Sequence, residues 1–131
     1  MKTIDRLLKV IGYPLDEVSS DGSSVLLRVD GREVRVSDRR GSPVLSFSLG
    51  NPSDEGLRQL ATFAMGRMLR EEATLAWDPE VRELILWQAV PVSATDELVR
   101  RAFEVFCASC DWWSERSQET VETIPETMIR P

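Results

Sequence analysis

Cys107-Ala-Ser-Cys110 is the one stretch of this chain whose residue types and spacing match a reactive motif. A redox C-x-x-C follows a strand and sits at a helix N-terminus, where the helix dipole lowers the thiol pKa. Here the pair follows Phe103 and Phe106 inside an amphipathic run. It therefore reads as two small residues packed one turn apart. A zinc site needs four ligands, and the chain has two cysteines and no histidine. Two cysteines are also too few for a disulfide framework. The lack of histidine removes the commonest general base as well. The sequence contains no G-x-G-x-x-G, G-x-x-x-x-G-K-[ST] or G-x-S-x-G motif. The carboxylates fall in turns and on polar helix faces, where they read as solvated surface. No catalytic, metal-ligating or cofactor-binding residue is assigned, no cofactor is implied, and the chain reads as a non-enzyme.

Other distinctive residues have structural explanations. Adjacent helix positions cannot both face one core, so Trp113 is expected inside and Trp112 across a neighbouring element. Met65 and Met68 read as core or as a subunit seam, and Arg39-Arg40 as a solvated turn. The net charge of -6 argues against nucleic acid and anionic membrane as partners, since both need a cationic surface. No apolar run approaches the roughly 18 residues of a membrane span. Near the start, Lys2, Arg6 and Lys9 interrupt the apolar positions, unlike the core of a signal peptide. The expected location is the cytoplasm.

The elements that position these residues follow from periodicity. Ile4, Leu7, Leu8 and Ile11 lie at helical spacing, with Thr3 as the expected cap and Gly12 and Pro14 as the stop. The stretch Ser19 to Ser24 is turn-rich. Three strands are expected next, near Ser24 to Asp30, Glu33 to Ser37 and Pro43 to Leu49. Asp30-Gly31 is a strong hairpin signal between the first two. The polar alternate positions of these strands predict a sheet half open to solvent.

A second helix is expected from Asn51-Pro52, with Asn51 as cap and a stripe of Leu57, Leu60, Ala61, Ala64, Met65, Met68 and Leu69. Residues 73 to 90 read as a hairpin turning at Asp78-Pro79-Glu80. Its second arm is apolar on both faces, with Leu84, Leu86 and Val90 on one and Ile85, Trp87 and Ala89 on the other. A strand of that kind is expected to be covered on both sides. A third helix starts near Ser93-Ala-Thr-Asp96, a sequence like a capping box, and buries Leu98, Val99, Ala102, Phe103, Phe106, Cys110 and Trp113. The predicted fold class is α+β, in the order α-βββ-α-ββ-α, with a twisted, mostly antiparallel five-stranded sheet and packed helices. Residues 1-116 read as one domain, and 117-131 as an acidic, flexible tail.

This arrangement resembles the class I type III secretion chaperones, the Tir-chaperone superfamily, over about residues 3 to 116. Leu7-Leu8-x-x-Ile11-Gly12-Tyr13-Pro14-Leu15 is similar to that family's first helix and its exit. The likeness continues with Leu57-x-x-Leu60-Ala61 followed by Ala73-Thr74-Leu75-Ala76-Trp77-Asp78-Pro79. Leu84-Ile85-Leu86, Ala89-Val90-Pro91-Val92 and the helix with Phe103-x-x-Phe106 and Trp113 complete it in order. The YbjN-like bacterial proteins, of regulatory or interaction role, also resemble this order of elements. A small enzyme using a carboxylate or the Cys107/Cys110 pair is the third reading.

The first resemblance implies a homodimeric chaperone that holds the N-terminal region of a secreted effector in an extended, secretion-competent state, without turnover. Binding of that kind is strand addition to a sheet edge plus burial of apolar anchors. The effector-binding residues it implies are Ile4, Leu7, Leu8, Ile11, Val25, Leu27, Val34, Val36, Leu45 and Phe47. The first strand, about Ser24 to Asp30, is expected to be the exposed edge. The dimer-interface candidates are Ala61, Ala64, Met65, Met68, Leu69, Leu84, Leu86 and Trp87.

Overall fold

The structure, a computed structural model, describes residues 2-14, 19-20, 24-67, 72-91 and 95-129. The first helix, α1 (Lys2–Ile11), ends in a Schellman motif. Gly12 adopts φ +75°, its N–H donates to Lys9 O at 3.2 Å, and the Tyr13 N–H donates to Leu8 O at 3.0 Å. A left-handed residue is required there, which is why glycine ends the helix. Thr3 lies inside α1 rather than before it, and its Oγ1 is buried without a partner. It is therefore not the cap that its position suggested.

The sheet strands are β1 (Ser19–Ser20), β2 (Ser24–Val29), β3 (Arg32–Arg39), β4 (Ser42–Gly50), β5 (Thr74–Asp78) and β6 (Glu83–Ala89). All pairings are antiparallel, in the order β1-β2-β3-β4-β6-β5. The five longer strands are those expected; β1 is a two-residue addition from the stretch read as a turn. Asp30 and Gly31 join β2 to β3 with φ +51° and +79°, and Arg40 and Gly41 join β3 to β4 with φ +56° and +83°. Positive φ at both central positions is the primed hairpin turn that matches strand twist. In the β5–β6 turn, Asp78 Oδ1 accepts from the Glu80 N–H at 3.0 Å, the bond expected of that aspartate.

Helix α2 (Asp54–Arg67) is capped by Ser53, whose Oγ accepts from the Gly56 N–H at 3.0 Å. The cap is thus two residues later than Asn51. Thr95 caps α3 (Asp96–Ile129), accepting from the Leu98 N–H at 3.3 Å, while Ser93 lies outside the described residues. Helix α3 extends through the acidic stretch read as a tail. Met68 and Leu69, the expected end of the α2 stripe, lie outside the described residues.

One core holds the layers together. Ile4, Leu7 and Leu8 of α1, Leu60 of α2, and Val99, Phe103, Phe106, Cys110 and Trp113 of α3 pack on Val25, Leu27, Val34, Val36, Leu45 and Leu86 of the sheet. Register explains this side: Val25, Val36, Leu45 and Gln88 form one row across β2, β3, β4 and β6. Gln88 is the polar member, 1% exposed, and donates from Nε2 to Glu72 Oε2 at 3.2 Å and Ala102 O at 3.4 Å. The helices thus seal one face of the sheet. Contrary to the two-sided cover expected of β6, the face bearing Ile85 and Trp87 carries no helix among the described residues. The physical reason is that the apolar stripes of α1, α2 and α3 all feed a single core cluster.

Candidate functional site

The two thiols come first, because their spacing suggested chemistry. Cys110 is buried and Cys107 is half-buried, both free and well inside α3. Burial pushes Cys107 from the ordinary 9.0 to about 11, helped by the charge of Asp30. Burial, then the neighbouring Cys107, pushes Cys110 to about 12. Arg32, which is ion-paired with Asp111, pulls both the other way and does not prevail. Such thiols stay protonated near neutral pH, with about a hundredfold less thiolate for Cys107 and about a thousandfold less for Cys110 than a thiol titrating at 9.0.

We expect a thiol-specific reagent to label the native protein far more slowly than the urea-unfolded protein at the same pH. Equal rates would contradict the burial. Because the folded-state values are raised, the thiols' contribution to stability is complete below 9.0 and is lost as pH rises through about 11 to 12. Unfolding midpoints measured between pH 8 and 12 check this sign. No group of three or more His, Cys, Asp and Glu side chains converges among the described residues. No helix among them is long and apolar enough to cross a membrane.

The structure places the expected effector-contact residues mostly in the chain's own core. Ile4, Leu7, Leu8, Val25, Leu27, Val34, Val36 and Leu45 are buried there, while Ile11 and Phe47 pack against it partly exposed. Of the expected dimer residues, Leu84 and Leu86 belong to the same core. Ala61 and Met65 are exposed on α2, Ala64 is partly buried, and Trp87 is 38% exposed on the opposite face of the sheet. Met65 does not fill a core position as one of its two readings had it; it is 81% exposed.

Trp112 lies against α2. Its ring meets Phe63 edge-on at 6.0 Å and Trp113 at 4.9 Å, with the Arg67 and Arg116 guanidinium carbons 4.4 and 4.8 Å from its centroid. Each cation–aromatic contact is favourable by about 0.5–1 kcal/mol at exposed sites. These contacts fasten the C-terminal part of α2 to α3.

The surface that remains is the uncovered face of the sheet. Antiparallel register lines up Leu26, Arg35, Ser46, Trp87 and Thr74 as one row across it. Rows Ser37–Val44–Ala89 and Ser48–Ile85–Ala76 flank that row. Together with the β5–β6 turn they line a shallow groove of about 990 Å³. Sequence reading missed Leu26 and Val44 here, because each is a single apolar residue between polar ones on its own face of the strand, Ser24 and Arg28 for Leu26 and Ser42 and Ser46 for Val44. The signal was the alternation itself, which marks them as facing away from Leu27 and Leu45.

The edges of the sheet differ. Strand β2 is not outermost: β1 pairs with Leu26 and Val25, and the Arg28 N–H donates to the Tyr13 hydroxyl at 3.0 Å. The edge expected on the first strand is therefore partly occupied by the connection that leaves α1. On the far side, β5 pairs among the described residues with β6 only. Trp77 at its end is 43% exposed and Val81 in the following turn 57%.

The described residues thus form an antiparallel sheet sealed on one face by three helices, open on the other and apolar at one edge. No protein-family model matches the sequence, and none of the curated proteins does. Solved structures do match in fold. A chain of the HopA1–SchA chaperone–effector complex superposes with a TM-score of 0.67 at 15% identity, over 87% of this chain and 91% of that one. A chain of the ExsC–ExsE complex gives 0.67 at 18% identity, over 87% and 92%. A chain of the ExoT–SpcS complex from Pseudomonas aeruginosa gives 0.59 at 17%, over 83% and 91%. The protein has the α+β fold of the type III secretion chaperones.

Proposed function

We propose that this chain is a cytoplasmic type III secretion chaperone that binds the N-terminal region of a secreted effector and keeps it extended, as a homodimer and without turnover. The observation that carries the reading is the fold shared over nearly the whole chain with a chain of a chaperone–effector complex. The partial exposure of Ile11 and Phe47, at the ends of the α1 and sheet patches, supports apolar anchoring there. The outer edge of β5, which among the described residues pairs with β6 alone, is the place where an effector strand adds to the sheet. Residues 1-116 are the binding unit in this proposal, with 117-131 an acidic extension outside it.

Such binding has to offset the ordering of a disordered segment, a cost of about 2–5 kcal/mol. The gain therefore comes from many backbone bonds and a few buried apolar side chains. The test is co-expression with secreted proteins of the same host, followed by limited proteolysis of the captured partner. The expected result is protection of one segment of tens of residues near the partner's N-terminus, unaffected by removal of nucleotide or metal. Protection of a folded domain, or turnover of the partner, would sink the reading.

A further inference from the structure

We propose that Tyr13 couples the seat of α1 to the closure of the β2 edge, so that this edge accepts a strand only after the end of α1 has let go. The last carbonyls of a helix have no partner within it. In α1 those of Leu8 and Lys9 accept from the Tyr13 and Gly12 N–H groups. That of Val10 accepts from Arg100 on α3, at 3.4 Å from Nε and 3.3 Å from Nη2. The end of α1 is thereby held on α3. Tyr13 follows directly, partly buried against the core, and its hydroxyl accepts from the Arg28 N–H of β2 at 3.0 Å. One residue thus caps α1 with its backbone and meets β2 with its side chain.

The bond matters because of where that donor faces. Backbone groups of a strand point alternately to its two sides. Because Arg28 donates to Tyr13, its N–H faces the outer side of β2, away from β3. The next donor toward the same side belongs to Leu26, and Ser19 of β1 lies opposite it. Tyr13 and β1 therefore occupy successive positions of this edge, both from the stretch between α1 and β2. An incoming strand has to displace them, and covering an edge in this way blocks unwanted pairing. Strand β5 pairs with β6 alone among the described residues, so strand addition is directed to that side. This consequence rests on the reading above, while the coupling is a property of the free chain.

Native-state hydrogen exchange of the full chain, without a partner, tests the coupling. Tyr13→Phe removes the acceptor and keeps the ring. Exchange of the Arg28 amide should quicken several-fold, up to about tenfold, the range of one hydrogen bond. The amide of Leu27, which faces β3, should keep its wild-type rate. Arg100→Gln loosens the end of α1 and should quicken Arg28 exchange as well. Combined with Tyr13→Phe it should add nothing further, because the coupling runs through the hydroxyl. Arg6→Gln, which breaks the ion pair with Asp96, replaces Arg100→Gln if circular dichroism shows that variant to be unfolded. An Arg28 rate unchanged by Tyr13→Phe, unchanged by the loosening of α1, or additive in the double variant would overturn the proposal. Partner capture is read separately. The exchange pattern without any captured effector removes the chaperone reading alone, and capture without the pattern removes this proposal alone.

Discussion

Trp113→Ala should lower the stability of the folded chain by about 3–5 kcal/mol, the usual cost of truncating a large buried aromatic. Trp113 is fully buried in the core beside Phe106 and Cys110 on α3. Its ring also supports Trp112 at 4.9 Å and an interplanar angle of 81°, and Trp112 in turn holds Phe63, Arg67 and Arg116. Truncation therefore opens a cavity and loosens the seat of α2 on α3. Typical domains have only about 5–15 kcal/mol in total, so the variant should sit near the edge of unfolding at physiological temperature. Urea denaturation followed by tryptophan fluorescence and by circular dichroism measures the loss. A cost below about 1 kcal/mol, in the range of ordinary surface changes, would mean that the core is not organised around this ring.

Gly31→Val should cost about 2 kcal/mol and lower the melting temperature by several degrees. Gly31 has φ +79°, a conformation in which a β-branched residue is strained. A Cβ built at this position meets nothing within 4 Å. The cost is therefore conformational and not steric crowding by neighbours. Gly31→Asn, which tolerates the left-handed region far better, should retain most of the lost stability. Differential scanning calorimetry of the pair separates the two explanations. If Asn and Val are equally harmful, contacts of the glycine and not its φ would be responsible.

These two residues mark how much of the molecule the sequence reveals. Gly31 and its turn were legible because Asp-Gly between alternating strands states its own geometry. Trp113 was legible from the 3.6-residue spacing through Phe103, Phe106 and Cys110. The order of elements follows from the same local signals. The cap of α2 was misplaced by two residues because Asn and Ser are clustered before the helix, and only the bond to an N–H distinguishes Ser53 from Asn51. Helix α1 was placed, but its apolar positions could not be divided between core and surface. That division depends on what lies over Ile4, Leu7 and Leu8, which is tertiary.

The same limit applies to the sheet. The apolar positions of β6 predicted two covered faces, yet which one this chain covers depends on where the helices pack. The edge was mislaid because a two-residue strand such as β1 leaves no periodic trace. The hydroxyl of Tyr13 bonding a backbone 15 residues away leaves none either.

The seat of α1 bears on the timing of biosynthesis. Arg6 reaches Asp96 at 2.9 Å, and the Arg100 guanidinium donates to Val10 O at 3.3 Å, each across 90 residues of sequence. A 10-residue helix is too short to persist by itself in water. Its other supports, β3 and β4, also come later in the chain. During translation, therefore, the apolar stripe of α1 leaves the ribosome long before the start of α3 exists to receive it. Until then β3 and β4 are what can cover it, and the bonds from Arg6 to Asp96 and from Arg100 to Val10 form only once α3 has emerged.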